Sequence, residues 1–309
     1  DNHWKTIKEK QIKEIIEACT GLYLEASAES SFATPNSKIN VNFEVLNRSK
    51  VSMILSSVTS RTNQKVYAKQ LNISNNKKIN FRETLSLKNL EYSDPYWLKE
   101  EASLGMYKVD KQELIGNPET NRPAQIDFNL IIEGIPITFT KNVIRRYSER
   151  DKGEIYEPFE ILPLITTKLK DKVMIFADKK QKTVSVTVKA GANFISGKIK
   201  LQIPENWQIS PAEKVFNIEK KNDQQTLEFA VYPPENESVG KIKVIAVANG
   251  KEYKKELVEI NYNHIPKQSV LLNSEAKVVR LNIQKEGNKI GYIKGAGDAV
   301  PENLRQIGY

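Results

Sequence analysis

Three places in this 309-residue chain carry residue types that could do chemistry. The first is "EYSDPYWLKE", where Tyr92, Tyr96 and Trp97 stand beside Asp94 and Glu100. Aromatic faces next to carboxylates suit a sugar ring, which can stack on the one and hydrogen-bond to the other. The plainer reading makes Tyr96 and Trp97 a plug at a sandwich end or domain junction, where large rings have the most area to bury. Trp207 in "PENWQISP" reads likewise as a core or edge plug. The second place is "VIRRYSERDKGEIYEP". Arg145, Arg146, Asp151 and Glu154 would form either a polar site for an acidic or sugar ligand, or an ion-pair network holding two domains at one angle. The network is favoured, because such networks are commoner. Tyr92, Tyr96, Trp97, Arg146 and Glu154 are thus the glycan-contact candidates.

The third place is the tail, "KIGYIKGAGDAVPENLRQIGY". Lys289–Ile293 can be a strand, Gly295-Ala-Gly297 a turn, and Pro301 suits a first helical turn. The full dinucleotide fingerprint needs a third glycine and an acidic residue about 20 positions on. The third glycine is lacking and the chain ends before the acidic position, so no cofactor-binding residue is expected. Nor is a metal or catalytic set. The chain has one cysteine, Cys19, and two histidines, His3 and His264, with no acidic or histidine cluster at ligand spacing around them. A catalytic zinc usually takes about three protein ligands. No Gly-x-Ser-x-Gly elbow or Ser/His/Asp set occurs.

The elements that must position these groups follow from periodicity. Residues 4–20 set Ile7, Ile12, Ile15, Ile16 and Cys19 at helical spacing, which predicts a short helix with a buried, inert thiol and a stop at Gly21. "SKINVNFEVLNRS" then alternates through Ile39, Val41, Phe43 and Val45, the pattern of an antiparallel strand with one wet face. Short strands continue to a hairpin turning at Glu133-Gly134. A break with Gly153, Pro158 and Pro163 reads as a rigid connection, and a second run of short strands follows. Among these, Val184, Val186 and Val188 alternate, as do Ile242, Val244 and Ala246.

The predicted fold is mainly β: two immunoglobulin-like antiparallel β-sandwiches, a short N-terminal helix and a C-terminal α/β stub. The boundaries are 1–21 for the helix, 22–160 and 161–266 for the sandwiches, and 267–309 for a joining segment and the start of another domain. The net charge of +9 invites a nucleic-acid reading, but Lys241, Lys243, Lys198 and Lys200 occupy outward strand positions, and a solvated sheet face explains them. No apolar run reaches the roughly 18 residues of a membrane span. Starting at Asp1, the chain is expected to be a processed product or a fragment.

"YSDPYWL", "IGNPETNRPAQIDFNLIIEGIPITF", "RRYSERDKGEIYEPFEILP" and "GYIKGAGDAVPENLRQIGY" together resemble the later part of large bacterial LmbE/PIG-L-like N-acetylglucosamine deacetylases. "LQIPENWQISPAEKVFNI" also looks like a sandwich associated with bacterial alpha-galactosidases. The resemblance implies a zinc-dependent deacetylase domain upstream and a glutamine-amidotransferase-like α/β domain beginning at the tail. The family's Ala-His-Pro-Asp-Asp zinc motif is absent, so no catalytic residue transfers and zinc is expected only in the missing domain. The implied role is a non-catalytic spacer with flanking domains of the same polypeptide as partners, in a periplasmic or extracellular setting. The alternative is a carbohydrate-binding module using exposed aromatics.

Overall fold

The computed structural model describes residues 2–309, apart from the side chains of Asn2, His3, Ala68 and Lys69. The expectation for His3 therefore lies outside the described side chains. The protein is mainly β, with 49% of residues in strands and 10% in helices. Two compact units emerge: Asp1–Leu162 with Glu259–Val270, and Pro163–Val258 with Leu271–Tyr309. Each is an immunoglobulin-like sandwich with its own core.

In the first unit, α1 (Asn2–Thr20) precedes β1 (Tyr23–Ala28), β2 (Phe32–Ala33), β3 (Lys38–Leu46), β4 (Met53–Ser60), β5 (Val66–Asn72) and β6 (Ile79–Ser86). After a long loop come β7 (Gln125–Ile132), β8 (Ile135–Asn142), β9 (Ile144–Glu149), β10 (Gly153–Pro158) and β11 (Glu160–Ile161). One sheet runs β10-β9-β1-β3-β6 and the other β5-β4-β7-β8. The alternating apolar residues are the reason these layers close. Val41, Phe43 and Val45 of β3 face Ile126, Phe128 and Leu130 of β7, all essentially inaccessible, and Phe43 meets Phe128 edge-on at 6.3 Å. Glu133 and Gly134 turn β7 into β8 with φ of 47° and 80°, as a tight hairpin turn requires.

Two expectations fail here. Cys19 is exposed, as are Ile12 and Ile15. The last turns of α1 engage the sandwich, through Ile16 packing on the core and Glu17 paired with Lys141, while Ile12, Ile15 and Cys19 meet solvent. Residues 150–158 are not a connection either. They belong to the β9–β10 hairpin, which pairs Arg146 with Tyr156 across the ladder, and the change of unit falls after Leu162.

The second unit contains β12 (Ile165–Leu169), β13 (Val173–Phe176), β14 (Lys182–Ala190), β15 (Ile195–Gln202), β16 (Gln208–Ser210), β17 (Glu213–Ile218), β18 (Gln224–Tyr232), β19 (Ser238–Ala248) and β20 (Lys251–Tyr253). A divided pair, β21 (Lys255–Ile260) and β22 (Gln268–Asn273), leads to β23 (Glu275–Arg280). One sheet runs β12-β14-β18-β16, the other β13-β23-β19-β15-β17 with β20 on β19. Val184, Val186, Val188, Ile242, Val244 and Ala246 are all buried between them. The outward lysines are engaged across strands: Lys241 with Glu275 at 2.6 Å, and Lys198 with Glu213 at 2.5 Å.

The sequence placed residues 267–309 beyond this sandwich, whereas β23 lies inside it, between β13 and β19, with Ala276 and Val278 in the core. Of the α/β stub, the helix forms as α2 (Val300–Gln306), but 289–293 is not a strand. A strand needs a neighbour for its amides, and none pairs with it. Ile290, Tyr292 and Ile293 remain exposed. The end of α2 does dock: Gln306 accepts from the Ile175 amide at 2.7 Å and donates to the Val173 carbonyl at 3.3 Å, covering the free edge of β13.

Candidate functional site

The sequence candidates separate into two places, both within the first unit. Arg146 extends from β9 into a polar cluster on the β1–β3 surface. Its Nη1 donates to the Tyr23 hydroxyl at 3.2 Å and its Nη2 to Glu44 at 3.2 Å, and its Nε lies 3.3 Å from Glu25. Glu25 and Glu44 are 4% and 6% exposed. Tyr23 donates to Glu25, and Lys78 approaches Glu44 at 2.8 Å. Burial, then the bond to Glu25, raises the Tyr23 hydroxyl pKa. Burial alone would raise Glu44, but Lys78 and Arg146 outweigh it and hold the carboxyl below its usual range. Arg146 shows the complement: burial opposes its charge, and Glu25 and Tyr23 more than restore it. Glu154 reaches the cluster through Tyr156, whose hydroxyl donates to it at 3.0 Å and also interacts with Tyr23 and Arg146. Arg145 is bound to Glu157 at 2.9 Å and lies over the Tyr147 ring.

Of the network that the sequence suggested, Arg145, Arg146, Asp151 and Glu154, Arg146 enters this cluster, whereas Arg145 pairs with Glu157 and Asp151 is exposed in the β9–β10 turn. The cluster's members Tyr23, Glu25, Glu44, Lys78 and Arg146 all belong to the first unit, so it braces a sheet and not a joint between domains. Each nitrogen of Arg146 thus has an internal partner, two through hydrogen bonds and Nε through its ion pair with Glu25.

The aromatic candidates sit elsewhere, in the loop between β6 and β7. Tyr92 packs against the first core. Tyr96 and Trp97 form a single 3-10 turn, Tyr96–Leu98, with their rings edge-to-face at 4.8 Å. None of the residues in that turn is buried, so the plug expected of Trp97 is not what forms. Trp207 does fill that role in the second unit: it is 5% exposed, meets Phe176 edge-on at 4.9 Å and donates to Ser238 at 3.1 Å.

Trp97 instead lines a cleft of about 270 Å³ with Asp94, Glu119, Asn121, Arg122 and Gln268. The cleft is fixed from several sides. The Tyr96 amide donates to Thr120 Oγ1 at 2.9 Å and the Tyr96 hydroxyl to the Asn117 carbonyl at 3.2 Å, tying the two halves of the loop together. Ser93 exchanges two bonds with Ile161, giving its amide to the carbonyl at 2.9 Å and taking the amide at 2.8 Å. Arg122 is paired with the buried Glu160 and lies 3.5 Å from Glu119. Asp94 was visible beside the aromatics, but Arg122 and Gln268 were missed. Gln268 is more than 140 positions beyond the loop, where no local pattern connects them; the Pro-bracketed polar run "PETNRP" was the one available signal.

No family model matches the chain, and no curated protein matches it. Among solved structures, a C. elegans MSP family member, WR4, is 8% identical and aligns over 38% of this chain and 98% of its own, with a TM-score of 0.23. An E. coli alpha-2-macroglobulin is 8% identical over 85% of this chain and 17% of its own, with a TM-score of 0.27. A red sea bream transglutaminase is 9% identical over 84% of this chain and 31% of its own, with a TM-score of 0.32. The chain thus spans less than a third of the last two.

At the tail, Asp298 accepts from the Tyr292 hydroxyl and from the Val300 amide at 2.9 Å, while Lys294 pairs with Glu302. The Gly295–Asp298 turn is thus closed by its own side chains. No group of three or more His, Cys, Asp or Glu positioned for a metal occurs among the described residues.

Proposed function

We propose that the chain is a non-catalytic spacer of two β-sandwiches within a larger LmbE/PIG-L-like deacetylase acting on N-acetylglucosamine-containing glycans. The family rests on the sequence stretches quoted above. The observation that carries the non-catalytic role is the internal use of the charged side chains: Arg146, Glu25, Glu44 and Tyr23 are paired with one another, and Arg122 is held by Glu160. A general acid or base needs a proton it can exchange with a substrate within hydrogen-bond reach, and these groups direct theirs inward. In this reading the sandwiches set the distance between a catalytic domain and its neighbour, in a periplasmic or extracellular setting.

The experiment compares the longer polypeptide with a version in which residues 22–280 are replaced by a flexible Gly/Ser linker. Deacetylation of a small soluble N-acetylglucosamine oligomer should keep its kcat/KM, while deacetylation of a polymeric glycan should fall. The isolated chain should release no acetate from either substrate. Acetate release by the isolated chain, or equal activity of both versions on the polymer, would refute the spacer role.

A further inference from the structure

The Trp97 cleft is not used by the spacer role, and its chemistry is specific enough to name a ligand. We propose that it is a binding site for one ring of a neutral saccharide. At about 270 Å³ it falls just under the roughly 300–1,000 Å³ of ordinary small-molecule sites, a size for one sugar ring and not for a nucleotide. Trp97 supplies an aromatic wall for the C–H side of the ring. Asp94 and Glu119 place carboxylates in the wall, Glu119 within 3.5 Å of Arg122, and Asn121 and Gln268 supply amides that both donate and accept, the mixture that neighbouring hydroxyls on a ring require.

The competing ligand classes fit less well. An anion would meet two carboxylates, while the one cation lining the cleft, Arg122, is already engaged by Glu160 and lies near Glu119. A purely apolar ligand would strip water from a wall made largely of polar side chains, which is costly. The loop is also set before any ligand arrives. Tyr96 is bonded to Thr120 and Asn117, and Ser93 to Ile161, so little ordering remains for binding to oppose.

The site separates from the polar cluster around Arg146, and that separation shapes the test. The full chain is titrated by calorimetry with methyl glucosides, galactosides and mannosides and with their β-linked disaccharides. Inorganic phosphate and tetramethylammonium serve as anion and cation probes. At least one saccharide should bind saturably with Kd on the order of 1 mM, and neither ion should compete with it. Trp97→Ala and Asp94→Asn should each weaken binding at least tenfold, Trp97→Phe should weaken it less, and Val215→Ala, at an exposed position of the second unit, should leave it unchanged. Thermal unfolding checks that each variant is folded. Should Trp97→Ala fail to fold, Asp94→Asn and Gln268→Ala decide in its place. The proposal is overturned by absence of saturation with every saccharide, by full affinity in folded cleft variants, or by stronger binding of either ion.

Discussion

Arg146 shows how a charge placed on a sheet becomes structural. It faces two carboxylates that are almost wholly buried, and losing it would strand them without a full complement of positive charge. Removing one partner of a buried pair costs about 3–5 kcal/mol. Lys78 still serves Glu44, so Arg146→Ala should fall near the lower end, read as a shift in the urea midpoint. The same cluster sets a pH dependence. Glu44 is held below the usual carboxylate range, so its contribution is present above the unfolded value of about 4.3 and is lost as pH falls through the folded pKa. Tyr23 is raised, so its contribution is intact below about 10 and declines as pH rises further. Urea midpoints measured across acid pH should drop in the native protein and drop less steeply in Glu44→Gln.

Among the elements, β15 depends on a missing side chain. A Cβ on Gly197 would stand 2.3 Å from the Val247 carbonyl oxygen and 2.9 Å from the Phe216 ring. Overpacking typically costs about 1–3 kcal/mol. Because the nearest obstacle is backbone, Gly197→Ala should reach the upper part of that range in denaturant unfolding of the second unit. The tail helix is a lighter contributor. No residue of α2 is buried, and its attachments include the two Gln306 side-chain bonds to β13 and the bond that Lys182 of β14 donates to the Gln306 carbonyl at 2.6 Å. At about 0.5–1.5 kcal/mol for each hydrogen bond, deleting residues 300–309 should lower the stability of the second unit modestly and leave its unfolding cooperative. Circular dichroism and a urea titration check both statements.

For the whole molecule, the burial is concentrated in two apolar cores, one in each unit. The described carboxylates, histidine and cysteine are dispersed or engaged with lysine and arginine, and none converge as a ligand set. Excess EDTA should therefore leave the thermal midpoint unchanged, and elemental analysis should find no stoichiometric zinc. Truncating Trp207 to Ala, in contrast, should cost about 3–5 kcal/mol, because its ring is sandwiched into the second core against Phe176.

Period-2 alternation determined the layered β architecture from the sequence alone. Val41, Phe43 and Val45, and again Val184, Val186 and Val188, must share one face whatever strands they pair with, and that face must be buried. Glu133-Gly134 likewise determined a turn locally. The strand β10 escaped notice because its side chains are half-exposed or exposed, so alternation is weak and the charges read as a connection, while the residues of β9 were read as a continuation of β8. Tertiary structure alone decided that β23 joins the second sandwich, since its parallel partner β13 lies about a hundred residues earlier. It also decided which polar residues meet: Arg146 with Glu25 and Glu44, and Trp97 with Arg122 and Gln268. Such meetings depend on loop closure over long stretches of chain, and the residue types at either end carry no record of it.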